Sequence, residues 1–203
     1  MLVDTERIAT QIESELLTEL GWPLSPVEVA EHFLGRTDEY MREVIEKRIP
    51  GLPPDWEDRF DERYLAAWAN KLEPVDGIVE ALERIPLPTC VASSGSHEKM
   101  RRTLALTGLW DRFEGRIFSA AEVEQGKPAP DLFLYAAERM GAEPGACAVV
   151  EDSPFGIEAA HAAGMTAFAY AGGIMSAEQL QAADVVFDEM RDLPALLSGS
   201  DPT

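Results

Sequence analysis

The chain has 203 residues, with 17 Lys and Arg against 37 Asp and Glu, a formal net charge of −20. That length suffices for one core domain plus a smaller insertion, or two small domains, and for a core that needs no disulfide or metal staple. The acidic balance argues against binding a nucleic-acid backbone, where affinity comes from Lys and Arg, but small anions need only a local positive patch. A hydrophobic content of 46 % argues against disorder. No apolar run approaches the roughly eighteen residues of a membrane span, and the opening MLVDTERIAT has acids where a secretory signal has basic and then apolar segments. Cys90 and Cys147 each lie inside an apolar run. Their spacing is no zinc motif, so the expectation is two buried thiols in a reducing, cytoplasmic setting.

Residues from about Asp4 to Leu72 show helical patterns and no convincing strand. Ile8, Ile12, Leu16, Leu17 and Leu20 recur at helical spacing, with Gly21 as a stop. Ser25 reads as an N-cap with Pro26 at the first helical position. After the Gly35-Arg36-Thr37 turn, Thr37 reads as the cap of a third helix. Pro50-Gly51-Leu52-Pro53-Pro54 breaks the pattern. A fourth helix carries Trp56, Phe60, Tyr64, Leu65 and Trp68, an aromatic stripe that suits a helix core better than a ligand box.

From Pro74 onward short apolar strands alternate with helices. The strands are predicted at Thr89–Ser93, Arg116–Ser119, Ala146–Glu151, Thr166–Tyr170 and Asp184–Phe187. Helices are predicted at Gly77–Arg84, Ser96–Leu106, Pro130–Met140 and Pro154–Ala163. Such alternation gives an α/β fold, a Rossmann-like parallel sheet with helices on both faces, here with a small all-helical domain near the N-terminus.

Ligands of an open α/β sheet gather at the carboxyl ends of its strands, so the residues that follow each apolar run carry the information. Three runs qualify. Ser93-Ser94-Gly95-Ser96 offers a hydroxyl and turn N–H groups to an anion, or simply caps a helix. Lys127, in Gly126-Lys127-Pro128-Ala129-Pro130, is a counter-charge on a stiff loop, or a solvated lysine in a connector. Glu151-Asp152-Ser153-Pro154 pairs two carboxylates that suit a hard divalent cation, or caps the helix that starts at Pro154. On one sheet edge, the three are parts of a phosphoryl-transfer site that still lacks its nucleophile. His32, His97 and His161 are scattered and form no metal spacing.

The order of Ser93, GKPAP and EDSPFGIEAAHAAGM resembles the haloacid dehalogenase superfamily, closest to its phosphatase and β-phosphoglucomutase-like members. The resemblance covers essentially the whole chain, and its last stretch is the most specific. It implies an HAD-like α/β core at residues 74–203, a helical cap at 6–73, and a remnant of the core's first motif at 1–5. It also implies that Ser93, with Ser94 and Gly95, binds a phosphoryl group, that Lys127 steadies it, and that Glu151 and Asp152 hold Mg²⁺ directly or through water. Gly35 and Arg36 fall where relatives place substrate-contacting residues, although an exposed turn arginine is the commoner outcome.

Leu2-Val3-Asp4-Thr5-Glu6 resembles the tail of the family's first motif, F-D-x-D-G-V-L-V-D-[ST]-E. That motif carries the aspartate nucleophile and, two residues later, the acid/base aspartate. The nucleophile is placed seven positions before Asp4, ahead of Met1. The same segment would form the family's central strand, between those ending at Ser93 and Glu151, and its loss would leave backbone groups unpaired on both neighbours. Met1 stands where the family has valine, and a GTG valine codon also serves as a bacterial start. The expectation is a natural protein that begins upstream, tested by translating the preceding DNA in frame.

The resemblance therefore implies a Mg²⁺-dependent phosphatase of a small phosphorylated metabolite such as a sugar phosphate, monomeric, without nucleic-acid or membrane partners. A phosphomutase is one alternative, disfavoured because Ala9 stands where those relatives carry a histidine. A dehalogenase is less favoured again, since those relatives need no metal pair. A phosphate-binding pseudoenzyme is the alternative from another class.

Overall fold

The computed structural model describes residues 1–199. Four helices come first: α1 (Thr5–Glu19), α2 (Pro26–Phe33), α3 (Asp38–Arg48) and α4 (Trp56–Lys71). Helix α2 starts in a capping box, in which Ser25 Oγ accepts the Glu28 N–H at 3.3 Å and Glu28 Oε2 accepts the Ser25 N–H at 2.8 Å. Thr37 Oγ1 caps α3 by accepting the Tyr40 N–H at 3.2 Å. The apolar stripe of α1, Ile12, Leu16 and Leu17, is buried with Val29, Phe33, Ile45, Trp56 and Phe60 in one cluster. The aromatic stripe of α4 is thus mainly helix core; Trp56 and Phe60 meet edge to face.

The second part contains α5 (Ile78–Arg84), β1 (Val91–Ser93), α6 (His97–Leu106), α7 (Trp110–Phe113), β2 (Ile117–Ser119), α8 (Asp131–Met140), β3 (Ala148–Glu151), α9 (Pro154–Ala162), β4 (Thr166–Tyr170), β5 (Val185–Phe187) and α10 (Leu193–Leu197). All strand pairs are parallel. Strand β4 shows the doubly wound layering by its alternation. Ala167 and Ala169 pack with Phe133, Ala137, Ile157 and Ala160 on one face, while Phe168 and Tyr170 pack with Ile78, Leu82, Leu104 and Phe113 on the other. This is a Rossmann-like parallel core with an inserted helical cap. The two parts join at an antiparallel bridge between Val3 and Pro74, where Asp4 N–H donates to Glu73 O at 3.1 Å.

The sheet is in two pieces. Strand β1 pairs with β2, and β3 with β4 and then β5. Among the described residues no strand pairs with the second edge of β1 or of β3. The consequence shows in burial: Val91, Ala92 and Ser93 are only half-buried and Ala148 is exposed, whereas 167–170 in β4 are buried. Cys90 and Cys147, expected to be buried, are both half-buried because they flank this gap. Strands β1, β2, β3 and β5 are shorter than predicted from their apolar runs, since pairing and not hydropathy sets their ends. The Thr89 carbonyl, for instance, accepts Arg116 Nη1 at 2.7 Å instead of a ladder partner.

Candidate active site at the carboxyl ends of β1 and β3

Ser93 ends β1, and its Oγ accepts the Gly95 N–H at 3.2 Å. The cap of α6 is Ser96, whose Oγ accepts the Lys99 N–H at 3.2 Å. Ser93 is therefore not spent on capping. Ser119 Oγ donates to Gly95 O at 2.8 Å and pins the turn from the β2 side.

Lys127 is not a solvated lysine, being only 7 % exposed. Its ammonium donates to Ala92 O at 3.5 Å, beside Ser93, and to the Glu151 carboxylate, and it stands 4.8 Å over the Phe133 ring. It thus ties the end of β1 to the end of β3 across the gap in the sheet. Glu151 is as buried as Lys127. Its Oε1 faces Lys127, and its Oε2 accepts the Asp152 N–H at 3.2 Å and Ser153 Oγ at 3.0 Å.

Ser153 caps α9 by accepting the Gly156 N–H at 3.1 Å, so capping makes no claim on Asp152 either. Asp152 Oδ2 lies 3.1 Å from the Met1 α-ammonium. Burial works to lower the pKa of that ammonium, but the charges of Asp152, Glu6 and Glu151 together raise it above its ordinary value.

The cap reaches the same place through its 35–37 turn. Ser94 Oγ donates to Gly35 O at 2.8 Å, and Arg36 Nη1 donates to Lys127 O at 3.3 Å. Arg36 is not the exposed turn arginine that base expectation favours. Its guanidinium stacks 3.5 Å from the Phe155 ring centroid, and its Nε is buried without a hydrogen-bond partner. Ser93, Ser94, Gly95, Lys127, Glu151, Asp152, Gly35 and Arg36 all line one cavity of about 630 Å³ between cap and core.

Sequence reasoning missed a second polar group in that cavity. Glu13 of α1, Asp38 of α3 and Lys99 of α6 line it, and Tyr64 of α4 donates to Glu13 Oε1. Burial raises the Glu13 pKa from 4.5 to about 7, against the lowering effect of the Tyr64 hydrogen bond. The signal was present: Glu13 sits on the apolar stripe of α1, between Ile12 and Leu16.

Among the described residues no group of three or more His, Cys, Asp or Glu is placed to hold a metal ion. The donor set still fits Mg²⁺ of the kind held by one or two carboxylates plus water and substrate phosphate. Asp152 faces a cation, the Met1 ammonium. The Glu151 oxygens, by contrast, are engaged by Lys127, Ser153 and the Asp152 N–H.

Known proteins resemble this chain over most of its length. Residues 2–164 match the model of the haloacid dehalogenase-like hydrolase family. A probable pseudouridine-5'-phosphatase of Drosophila melanogaster is 32% identical over 203 residues, covering 95% of this chain and 87% of that protein. A haloacid dehalogenase-like protein of Agrobacterium tumefaciens superimposes with a TM-score of 0.83 at 34% identity, covering 98% of this chain and 93% of the other. A HAD family hydrolase of Deinococcus radiodurans, solved with bound phosphate and sodium, gives a TM-score of 0.75 at 27% identity, over 100% of this chain and 94% of the other. With a family match over most of its length, the chain belongs to the haloacid dehalogenase-like hydrolases.

Proposed function

We propose that these residues form the phosphate- and metal-holding side of a Mg²⁺-dependent phosphoric monoester hydrolase acting on a small phosphorylated metabolite such as a sugar phosphate. Residues 6–73 act as the cap and 74–203 as the catalytic core. The observation that carries this reading is the Lys127 ammonium, buried between Ala92 O beside Ser93 and the Glu151 carboxylate, on the wall of the cap–core cavity. A fixed cation beside a hydroxyl at a strand end is an arrangement that stabilises a transferring phosphoryl group. Phosphate bound to the Deinococcus radiodurans relative is consistent with it.

In this proposal Ser93 Oγ and the Ser94 and Gly95 N–H groups bind the phosphoryl oxygens. Lys127 neutralises charge that builds on them, and Glu151 holds the ammonium in place. Asp152 is the direct ligand of Mg²⁺ and Glu151 at most a ligand through water. The ion, when bound, supplies charge neutralisation on the phosphoryl oxygens. The attacking carboxylate is the aspartate that the family motif places seven positions ahead of Asp4; it forms an aspartyl-phosphate as the ester P–O bond breaks, and water then hydrolyses the intermediate. The cap turn with Arg36 helps to exclude bulk water. Ala9, buried where a mutase histidine would stand, offers no group to transfer a proton, which favours phosphatase over mutase.

The test is hydrolysis of p-nitrophenyl phosphate with Mg²⁺ by residues 1–203 preceded by their upstream in-frame residues. Turnover that Ser93→Ala and Asp152→Asn each reduce at least tenfold supports the reading. Turnover by residues 1–203 alone overturns the placing of the nucleophile, and none by the extended protein overturns the phosphatase reading in favour of a phosphate-binding pseudoenzyme.

A further inference from the structure

Away from Lys127 the cavity has a second polar wall, shared by cap and core, whose groups have bonds to spare. Glu13 is 9 % exposed; its Oε1 accepts the Tyr64 hydroxyl, and among the described residues its Oε2 accepts no hydrogen bond. The Lys99 ammonium lies 3.6 Å from Asp38 Oδ1, longer than a hydrogen bond, and 5.9 Å from the centroid of the Tyr64 ring. Burial works to lower the Lys99 pKa, but the charges of Asp38, Glu6 and Glu13 raise it above its ordinary value, so the group stays an ammonium. The stem of Lys99 reaches back to the phosphoryl turn: a Cβ built on Gly95 would lie 3.4 Å from Lys99 Cδ and 3.5 Å from Ser93 Oγ. An ester whose phosphoryl group sits at Ser93 thus has Lys99 beside its alcohol part, with Glu13 and Asp38 lining the same cavity.

An ammonium with donors to spare and a carboxylate with a free oxygen together match hydroxyl groups, which accept from the one and donate to the other. A carboxylate or a second phosphate on the alcohol accepts from Lys99 but has nothing to donate to ionised Glu13. It also meets like charge. Glu6, Asp38 and, above pH about 7, Glu13 bring three carboxylates to this wall against the single Lys99 ammonium. Like charge without a partner is a means by which a site rejects a near-analogue of its ligand.

We infer that this wall selects the alcohol part of the substrate by charge: Lys99 and Glu13 bind hydroxyl groups of an uncharged polyol, and Glu13 with Asp38 rejects esters that carry a second anionic group. The inference rests on the phosphoryl end lying at Ser93. Glucitol 6-phosphate and 6-phosphogluconate test it, since they differ only in a CH₂OH against a carboxylate at the carbon farthest from the phosphate. Calorimetry at pH 8 in EDTA, which keeps both ligands intact, is expected to show glucitol 6-phosphate bound more tightly by about tenfold or more. Glu13→Gln with Asp38→Asn is expected to cut that preference to about threefold or less, chiefly by tightening 6-phosphogluconate, a change that a merely structural role would not produce. Lys99→Met is expected to weaken glucitol 6-phosphate by about fivefold or more. Ser93→Ala is expected to weaken both ligands alike. Equal binding of the two ligands, tighter binding of 6-phosphogluconate, binding of neither, or a preference that survives the double variant overturns the inference, and the phosphoryl site stands as long as Ser93→Ala still weakens phosphate esters. If Ser93→Ala changes nothing, the phosphoryl reading falls and the inference with it. Should the double variant not fold, Asp38→Asn alone, at an exposed side chain, must still reduce the preference, and failure there also overturns the inference.

Discussion

The Met1 α-ammonium and the Asp152 carboxylate, 3.1 Å apart and both largely shielded, form an ion pair at the carboxyl edge of the sheet. In a chain that starts at Met1, that ammonium competes for the position proposed for Mg²⁺. Acetylating it removes the competitor without touching a side chain. Mg²⁺ affinity measured by calorimetry is expected to rise by about tenfold, ~1.4 kcal/mol. In Asp152→Asn the rise is expected to vanish. Unchanged affinity after acetylation would show that Asp152 is not the ligand.

Lys127 and Glu151 are a buried pair, and their value to the fold lies in each compensating the other. Lys127→Ala leaves the Glu151 carboxylate buried without its cation, a situation that costs about 3–5 kcal/mol. Lys127→Met with Glu151→Gln removes both charges and is expected to recover a large part of that loss. Urea denaturation of the single and double variants measures it. A double variant no more stable than Lys127→Ala would place the loss in packing and not in charge.

Glu13 gives the cap a pH dependence. Burial raises its pKa from 4.5 to about 7, so between those values the folded protein binds a proton that the unfolded chain has released. Stability is therefore expected to fall as pH rises from about 4.5 to 7, by about 3 kcal/mol from this group, and then to level off. Glu13→Gln keeps an acceptor for the Tyr64 hydroxyl and removes the ionisation. It is expected to flatten this part of the stability profile and to be the more stable protein at pH 8. A wild-type profile that rises across the same window would refute the assignment.

Legibility in the sequence followed the range of the interactions. The Ser25 cap, the stripe of α1 and strand β4 at Thr166–Tyr170 were readable because each leaves a local pattern in the sequence. Ser93 and Asp152 were readable as polar residues closing apolar runs and Lys127 as a charge on a proline-stiffened loop, and a shared cavity now brings them together. What was not readable rests on contacts between distant segments. Arg36 on Phe155, Lys99 facing Asp38 and Tyr64 on Glu13 join residues that no local pattern links. The short helices α7 and α10 were also missed, since one turn or so leaves no periodicity to detect.

Gly156 shows how tightly Glu151 is lodged. In the first turn of α9, alanine ordinarily stabilises a helix over glycine by up to about 1 kcal/mol. Here a Cβ would overlap the Glu151 carboxylate carbon, which Lys127, Ser153 and the Asp152 N–H hold in place. Gly156→Ala is therefore expected to destabilise by about 1–3 kcal/mol, the range for overpacking a core. Trimming the obstacle tests the cause: with Glu151→Ala in the background, the three atoms nearest the added methyl are gone, and its cost is expected to vanish or reverse sign. Thermal denaturation of the four proteins in this cycle gives the coupling directly. If Gly156→Ala alone proves stabilising, the Glu151 carboxylate does not rest against α9.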